Sequence, residues 1–248
     1  MSKVVIENLT VKYIDKKSET VALDNFSATF EDKKISVIVG FSGSGKSTLL
    51  RSIAGLLSYP TEIYGDILFD NSSVISLDTM DRNISLVSQE FSLYPHQTIY
   101  DNIAFPLKLL KWDRKRIDES VKKIAIELDI YQCLSRKPKH ISFGQAQRAS
   151  LARSLVKRPN LLLLDEPLSN VDEAARAYIR TLIKQTVQKL GITLIYVTHN
   201  FQDAMYLADQ LFVIEDGKLA VSGNPLEVYN SDSEIINYMK ESVKKNEY

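Results

Sequence analysis

Residues 40–48 read GFSGSGKST: Gly40, Phe41, Ser42, Gly43, Ser44, Gly45, Lys46, Ser47, Thr48. The apolar run Ile35, Val37, Ile38, Val39 leads into them and Leu49, Leu50 lead out, so the stretch fits the strand, glycine-rich turn and helix of a P-loop, G-x-x-x-x-G-K-[ST]. A polyphosphate needs many donors at short range. Glycines at 40, 43 and 45 let successive backbone N–H groups turn inward with no Cβ in the way, and a helix opening at Lys46 adds its positive end. In such a turn Lys46 reaches the β- and γ-phosphates, Ser47 ligates Mg²⁺ and Thr48 donates to the α-phosphate. An ordinary glycine-rich turn is the alternative. The β run before it and the helical pattern after it favour a nucleoside triphosphate.

Around this stretch the chain has 248 residues, 44% hydrophobic and 25% charged, enough for one large domain or two smaller lobes. Lys+Arg and Asp+Glu are both 31, so no global field favours nucleic acid or an acidic membrane. The basic group Lys108, Lys111, Arg114, Lys115, Arg116 reads as a solvated helix face. One cysteine, Cys133, forms no internal disulfide, which is consistent with a reducing cytoplasm. Apolar runs such as Leu161–Leu164 are far too short to span a bilayer, and no signal pattern opens the sequence. If the protein works at a membrane, another chain is expected to cross it.

Upstream, Val4 to Phe30 alternates in β fashion through Val4, Ile6, Leu9, Val11 and Tyr13, then Val21, Leu23 and Phe26, with a polar turn over Asp15 to Thr20. Antiparallel strands are expected, with Tyr13 ending one of them, where its ring can stack on a base. Downstream, Gly65–Phe69 and Asn83–Ser88 are short strand-like runs, the second ending at Gln89. From Thr98 to about Lys157 the spacing becomes helical, with caps and breakers at Pro106, Asp113, Pro138 and Ser142. The β/α alternation then resumes with strands at Asn160–Leu164, Thr193–Val197 and Leu211–Ile214 and helices over Glu173–Leu190 and after Asn200. The all-apolar strands suit a parallel sheet buried on both faces. Asp216-Gly217 is a hairpin signal, and helical pieces follow Pro225.

Several strand ends carry chemistry. Asp165 and Glu166 close the run Leu161–Leu164; beside a P-loop, Asp165 can hold Mg²⁺ through water and Glu166 can polarise a water for in-line attack on a γ-phosphate. Two adjacent acids also suit a helix cap. Gln89 has an amide that can ligate Mg²⁺ and touch the attacking water. His199 follows Tyr196-Val197-Thr198, where a neutral imidazole can sense a γ-phosphate. Neither His96 nor His140 has such support. Ser142 in ISFGQAQR (Ile141–Arg148) can cap a helix whose free N–H groups meet an anion.

Taken in order, the chain resembles the nucleotide-binding subunit of an ABC transporter over nearly its whole length: a Walker A (GFSGSGKST), a glutamine loop (VSQE), a signature (ISFGQ for the family's LSGGQ), a Walker B (LLLLDEP), a D-loop (SNVD) and a switch histidine (VTHN). The resemblance implies an α/β fold. This is a P-loop NTPase core with mixed sheet and an antiparallel β subdomain (about 1–90 and 158–224), an inserted α-helical subdomain (about 91–157) and a helical tail (225–248). It implies ATP and Mg²⁺ as ligands, with two subunits packed head to tail around two ATP molecules. Tyr13 goes to adenine; Lys46, Ser47 and Thr48 to phosphate and Mg²⁺; and Gln89 and Asp165 to the metal. Glu166 becomes the base and His199 the γ-phosphate sensor. Ser142, Gly144 and Gln145 address the opposite subunit's ATP, and Ser169 and Asp172 line the seam.

One departure stands out. Phe143 replaces the first signature glycine, and its side chain must point away from the phosphate or push the helix back.

Partners follow from the same resemblance: a second ATP-binding subunit (a copy or a close relative), transmembrane permease subunits, and an extracytoplasmic solute-binding protein, with the chain peripheral on the cytoplasmic side of the membrane. The stretch after Gln89, FSLYPHQTIYDNIAFPLKL, resembles the grip of importer-type subunits on a permease helix, with Phe91, Leu93, Tyr94 and Ile99 as its apolar lining. Those residues also suit the insert's own core. Sugar-importer subunits usually continue into a long β-domain that does not follow the tail here, so a sugar is not assigned. An exporter or lipoprotein-releasing ATPase, and a module that binds ATP without turnover, remain alternatives. A GTPase is disfavoured because no N-K-x-D follows a strand.

Overall fold

The computed structural model describes residues 3–15, 18–58, 60–88, 93–169, 171–231 and 233–245. Along the chain run β1 (Val4–Asp15), β2 (Ser18–Phe30), β3 (Ile35–Val39), α1 (Lys46–Ala54), β4 (Thr61–Phe69), β5 (Ser72–Ser73) and β6 (Ile84–Val87). The helices α2 (Ile99–Leu109), α3 (Arg114–Glu127) and α4 (Phe143–Leu155) follow, then β7 (Leu161–Asp165), α5 (Glu173–Leu190), β8 (Thr193–Val197), α6 (Phe201–Leu207), β9 (Gln210–Glu215), β10 (Lys218–Gly223), α7 (Pro225–Tyr229) and α8 (Glu234–Lys245). The chain forms two compact units, one of residues 1–84 and 193–248, the other of residues 85–192.

In the first unit β1 lies between β2 and β4, antiparallel to both, and β5 extends this sheet beyond β4. Alternation along β1 places Val4, Ile6, Leu9 and Val11 in the core at no more than 1% exposure. Register shifts interrupt both pairings near Asn8, which takes a positive φ of 49° as a bulge residue. The second sheet of this unit is built on β3, which runs parallel to β8 on one side and β9 on the other. Ile35, Val37, Ile38 and Val39 are all buried, as a strand covered on both faces requires. β10 returns antiparallel to β9 through Asp216 and Gly217, whose φ values of 45° and 76° are those a type I′ hairpin demands.

The second unit pairs β6 with β7 and packs α2, α3, α4 and α5. Its helices begin where short polar side chains satisfy the first free N–H groups. Thr98 accepts from Asp101 N, Asp113 from Arg116 N, Ser142 from Gln145 N and Asp172 from Ala175 N. Gly191 ends α5 in the left-handed conformation at φ 63°. Ile103, Leu107, Val121, Ala125, Leu151, Ala152 and Leu155 form the core. Among the described residues no helix is long and apolar enough to cross a membrane, and no group of three or more His, Cys, Asp or Glu is placed to hold a metal.

Four local expectations need correction. Pro106 does not break the helical run; it lies inside α2, where the loss of one N–H is outweighed by burial of Ile99, Ile103 and Leu107. β1 does not end at Tyr13 but continues to Asp15, and β2 starts at Ser18, because cross-strand pairing extends a ladder through polar residues. β4 starts at Thr61 rather than Gly65, for the same reason. Ile99 is fully buried and belongs to the core, while Tyr94 stays 40% exposed and packs on Phe105 at 4.9 Å. Gln89 and Phe91 lie outside the described residues.

The approach to α2 depends on one buried amide. Asn102, with no exposed surface, accepts from Tyr94 N at 2.7 Å and donates to Tyr94 O at 3.2 Å and Thr98 O at 2.9 Å. Asn102→Leu leaves these backbone groups without their partner and is expected to cost about 2–3 kcal/mol in urea unfolding. A loss below about 0.5 kcal/mol contradicts the assignment.

Candidate functional site: a phosphate cradle and a capped helix

The cradle forms where β3 ends and α1 begins. Lys46, first residue of α1 and 5% exposed, donates from Nζ to Gly40 O at 2.9 Å and Phe41 O at 2.6 Å, with Ser44 Oγ at 3.4 Å. The ammonium thus holds the loop in a ring around itself. Gly43 and Gly45 have φ values of 84° and 101°, and a Cβ on Gly45 would stand 2.4 Å from Ala22 O. Besides opening the loop's N–H groups, the glycine at 45 lets β2 pack against the loop too closely for any side chain there. Ser44 O accepts from Gly217 N at 3.1 Å, which fixes the loop to the β9–β10 hairpin.

Two sequence-predicted partners stand on the elements around this cradle. Tyr13 is half-buried, and its hydroxyl lies 3.3 Å from Thr48 Oγ1. His199 leaves the end of β8, where Thr198 N donates to Ile38 O at 3.1 Å, so it stands beside the end of β3, two residues before Gly40. Thr198 Oγ1 accepts from Asn200 N at 2.9 Å, and Asn200 caps α6, which sets the backbone on which the exposed imidazole sits.

Two features of the cradle were not anticipated. Phe41 makes an edge contact with Tyr238 of α8, ring centroids 5.1 Å apart at 72°. No local pattern announces a pairing nearly two hundred residues apart. At the far end of α1, Arg82 is 6% exposed and donates to Ser52 O at 2.8 Å, Ile53 O at 2.9 Å, Leu77 O at 3.2 Å and Ile75 O at 3.3 Å. A guanidinium on the last carbonyls complements the negative end of the helix that starts at Lys46. Burial pulls the Arg82 pKa below the usual guanidinium value.

The second unit carries the remaining predicted residues. Asp165 ends β7, and Glu166 follows with a positive φ of 47°. On α4, Ser142 and Gln145 close a reciprocal capping box: Ser142 Oγ accepts from Gln145 N at 3.3 Å and Gln145 Oε1 accepts from Ser142 N at 3.0 Å. The Ser-x-x-Gln spacing is the signal that could have revealed it. Phe143 is 47% exposed, and the Ser142–Gln145 box is complete with it in place; a Cβ on Gly144 would meet only Ile179 Cδ1 at 3.8 Å. Arg148 anchors the same helix by donating to Asp129 O at 2.8 Å and Asp129 Oδ2 at 2.7 Å. That bond, with a further one from Tyr178, holds the Asp129 carboxyl below its ordinary 3.8. Ser169 N donates to Glu166 O at 3.3 Å, and Asp172 is the cap of α5.

A profile of the family described as ABC transporter matches residues 23–169. The chain is 43% identical over 216 residues to the trehalose/maltose import ATP-binding protein MalK of Thermococcus litoralis, which covers 86% of this chain and 58% of that one. It is 40% identical over 240 residues to the glucose import ATP-binding protein GlcV of Saccharolobus solfataricus, covering 95% of this chain and 67% of the relative. The structure of cbiO1 from Clostridium perfringens, part of the ABC transporter complex cbiONQ, matches with a TM-score of 0.82 at 27% identity, over 98% of this chain and 93% of that one. The chain therefore belongs to the ABC transporter family, with the ABC ATPase fold. It spans about three fifths of the length of several curated relatives that it matches.

Gly45→Ala forces a strained φ and a backbone clash. It is expected to weaken binding of a fluorescent ATP analogue by at least about 10-fold and to cost about 1–3 kcal/mol, seen as a melting point lower by roughly 2–10 °C. Wild-type affinity in this variant contradicts the cradle as drawn.

Proposed function

We propose that this chain is the ATP-hydrolysing subunit of an importer-type ABC transporter, driving solute through a separate permease by ATP-promoted closure of two subunits. The observation that carries the reading is the ring of Gly40 O, Phe41 O and Ser44 Oγ around Lys46 Nζ at the mouth of α1. Nucleotide phosphates arriving there replace the loop's own carbonyls as partners of the ammonium and meet the backbone N–H groups at the positive end of α1. The two relatives described by name as import ATP-binding proteins support the direction of transport.

The residues divide the work as follows. Tyr13 takes the adenine, and Gly40 to Gly45 take the β- and γ-phosphates through backbone N–H groups. Lys46 neutralises their charge and Thr48 takes the α-phosphate. Mg²⁺ would be held by the hydroxyl of Ser47 and the amide of Gln89, with the carboxylate of Asp165 reaching it through water, an all-oxygen set of the kind this ion prefers, and there it would shield phosphate charge. Glu166 polarises the attacking water and His199 hydrogen-bonds the γ-phosphate. Ser142, Gly144 and Gln145 at the capped start of α4 face the nucleotide of a second subunit, with Ser169 and Asp172 along the seam. In this scheme residues 1–90 and 158–224 act as the core with its β subdomain, 91–157 as the helical subdomain that grips the permease through Tyr94 and its neighbours, and 225–248 as the tail. The chain then sits at the cytoplasmic face of the membrane, with a solute-binding protein completing the importer.

Glu166→Gln is expected to lower steady-state ATP hydrolysis at least about 100-fold while ATP affinity stays within about 3-fold. Equal rates in wild type and variant remove the catalytic assignment.

A further inference from the structure

Glu166 is held in a backbone conformation that a side chain disfavours, φ 47°. A residue with a Cβ stays there only where its surroundings impose it. Three successive carbonyls from Glu166 onward are each taken by a different donor. Glu166 O accepts from Ser169 N at 3.3 Å, the turn's own bond. Leu168 O accepts from Arg176 Nη2 of α5 at 2.9 Å. Pro167 O accepts from Nε2 of Gln147, which belongs to α4, the helix capped by Ser142.

Gln147 is 4% exposed, and its Oε1 finds no hydrogen-bond partner. An unpaired buried amide oxygen costs roughly 1–3 kcal/mol. Packing alone is better served at this position by methionine, which has the same length and no polar atom to satisfy. What glutamine supplies and methionine lacks is one directional bond from α4 to the carbonyl next to Glu166.

We propose that Gln147 is a positioning residue: a strut that makes the start of α4 and the Glu166 turn move as one piece within a chain. The consequence rests on the reading under Proposed function. There, α4 of one chain contacts the nucleotide held by its partner, whereas Glu166 serves the nucleotide of its own chain. Displacement of α4 on meeting the partner's phosphate then carries Glu166 with it through Gln147, and the two nucleotide sites respond to each other.

Gln147→Met in the full chain tests the strut. Without nucleotide, amide hydrogen exchange at Ser169 and Val171 is expected to quicken at least about 10-fold, while the melting temperature stays equal or rises. Unchanged exchange overturns the strut, whatever the chain does with ATP. In ATP hydrolysis the variant is expected to lose about 10-fold in kcat, to keep KM within about 2-fold, and to show a Hill coefficient reduced to 1. A wild-type kcat and Hill coefficient overturn the coupling, and so does a loss of kcat that only tracks a fallen melting temperature. Gln147→Glu adds a readout that packing does not move. Only a protonated carboxyl can donate to Pro167 O, so its hydrolysis relative to wild type is expected to recover as pH falls from about 8 to about 6, burial having raised the carboxyl's pKa. A flat ratio contradicts the donor role. An inactive wild type, or an unaffected Glu166→Gln, rejects the proposed function instead, and the exchange measurement still decides the strut.

Discussion

A lysine ammonium enclosed by its own loop is the constraint around which the first unit is arranged. Lys46 Nζ keeps Gly40 O and Phe41 O within 2.9 Å, and the loop can close on it only because no side chain intervenes. A Cβ on Gly40 would stand 2.3 Å from Ile214 O of β9, and one on Gly45 would stand 2.4 Å from Ala22 O of β2. Strands from both sheets of the unit thus press on the loop. β3 delivers it from a fully buried position between β8 and β9, so the start of α1 has little freedom to move. Arg82 ties down the other end of that helix. Such rigidity is what a site needs if charge is to be stabilised without reorganisation at the moment of reaction.

Much of this was legible in the sequence because the relevant signals are local. The P-loop spacing, the caps Asp113, Ser142 and Asn200, the buried strands and the Asp216-Gly217 turn each depend on a few neighbouring residues, and each formed where expected. What was not legible depends on distance along the chain. The ring of Tyr238 against Phe41, the guanidinium of Arg82 on the carbonyls of α1, and the amide of Gln147 on Pro167 O join segments that no window of sequence contains. Pro106 was misjudged for a related reason, burial in α2 overriding a local breaker signal, and of the two readings open for Ile99 the same burial selects the core.

On the reading proposed above, each chain holds half of two different sites: its cradle gives donors to one face of a polyphosphate, and the capped start of α4, where Phe143 is exposed and a Cβ on Gly144 would meet only Ile179, gives the surface that a second chain approaches. A helix N-terminus whose cap is complete still has N–H groups to offer an anion. In the proposed sandwich these half-sites complete each other, and mechanical output comes from their closing and parting.

The sandwich is tested most directly by mixing two full-length versions of the chain, each carrying Glu166→Gln to slow hydrolysis, one with Ser42→Cys and the other with Ser142→Cys. Cys133 is buried and does not compete for the crosslinker. A short thiol crosslinker is expected to join the two versions when ATP is added and to leave them separate without it. Equal crosslinking with and without ATP, or none in either condition with the permease present, contradicts a nucleotide clasped between the cradle of one copy and the α4 cap of another.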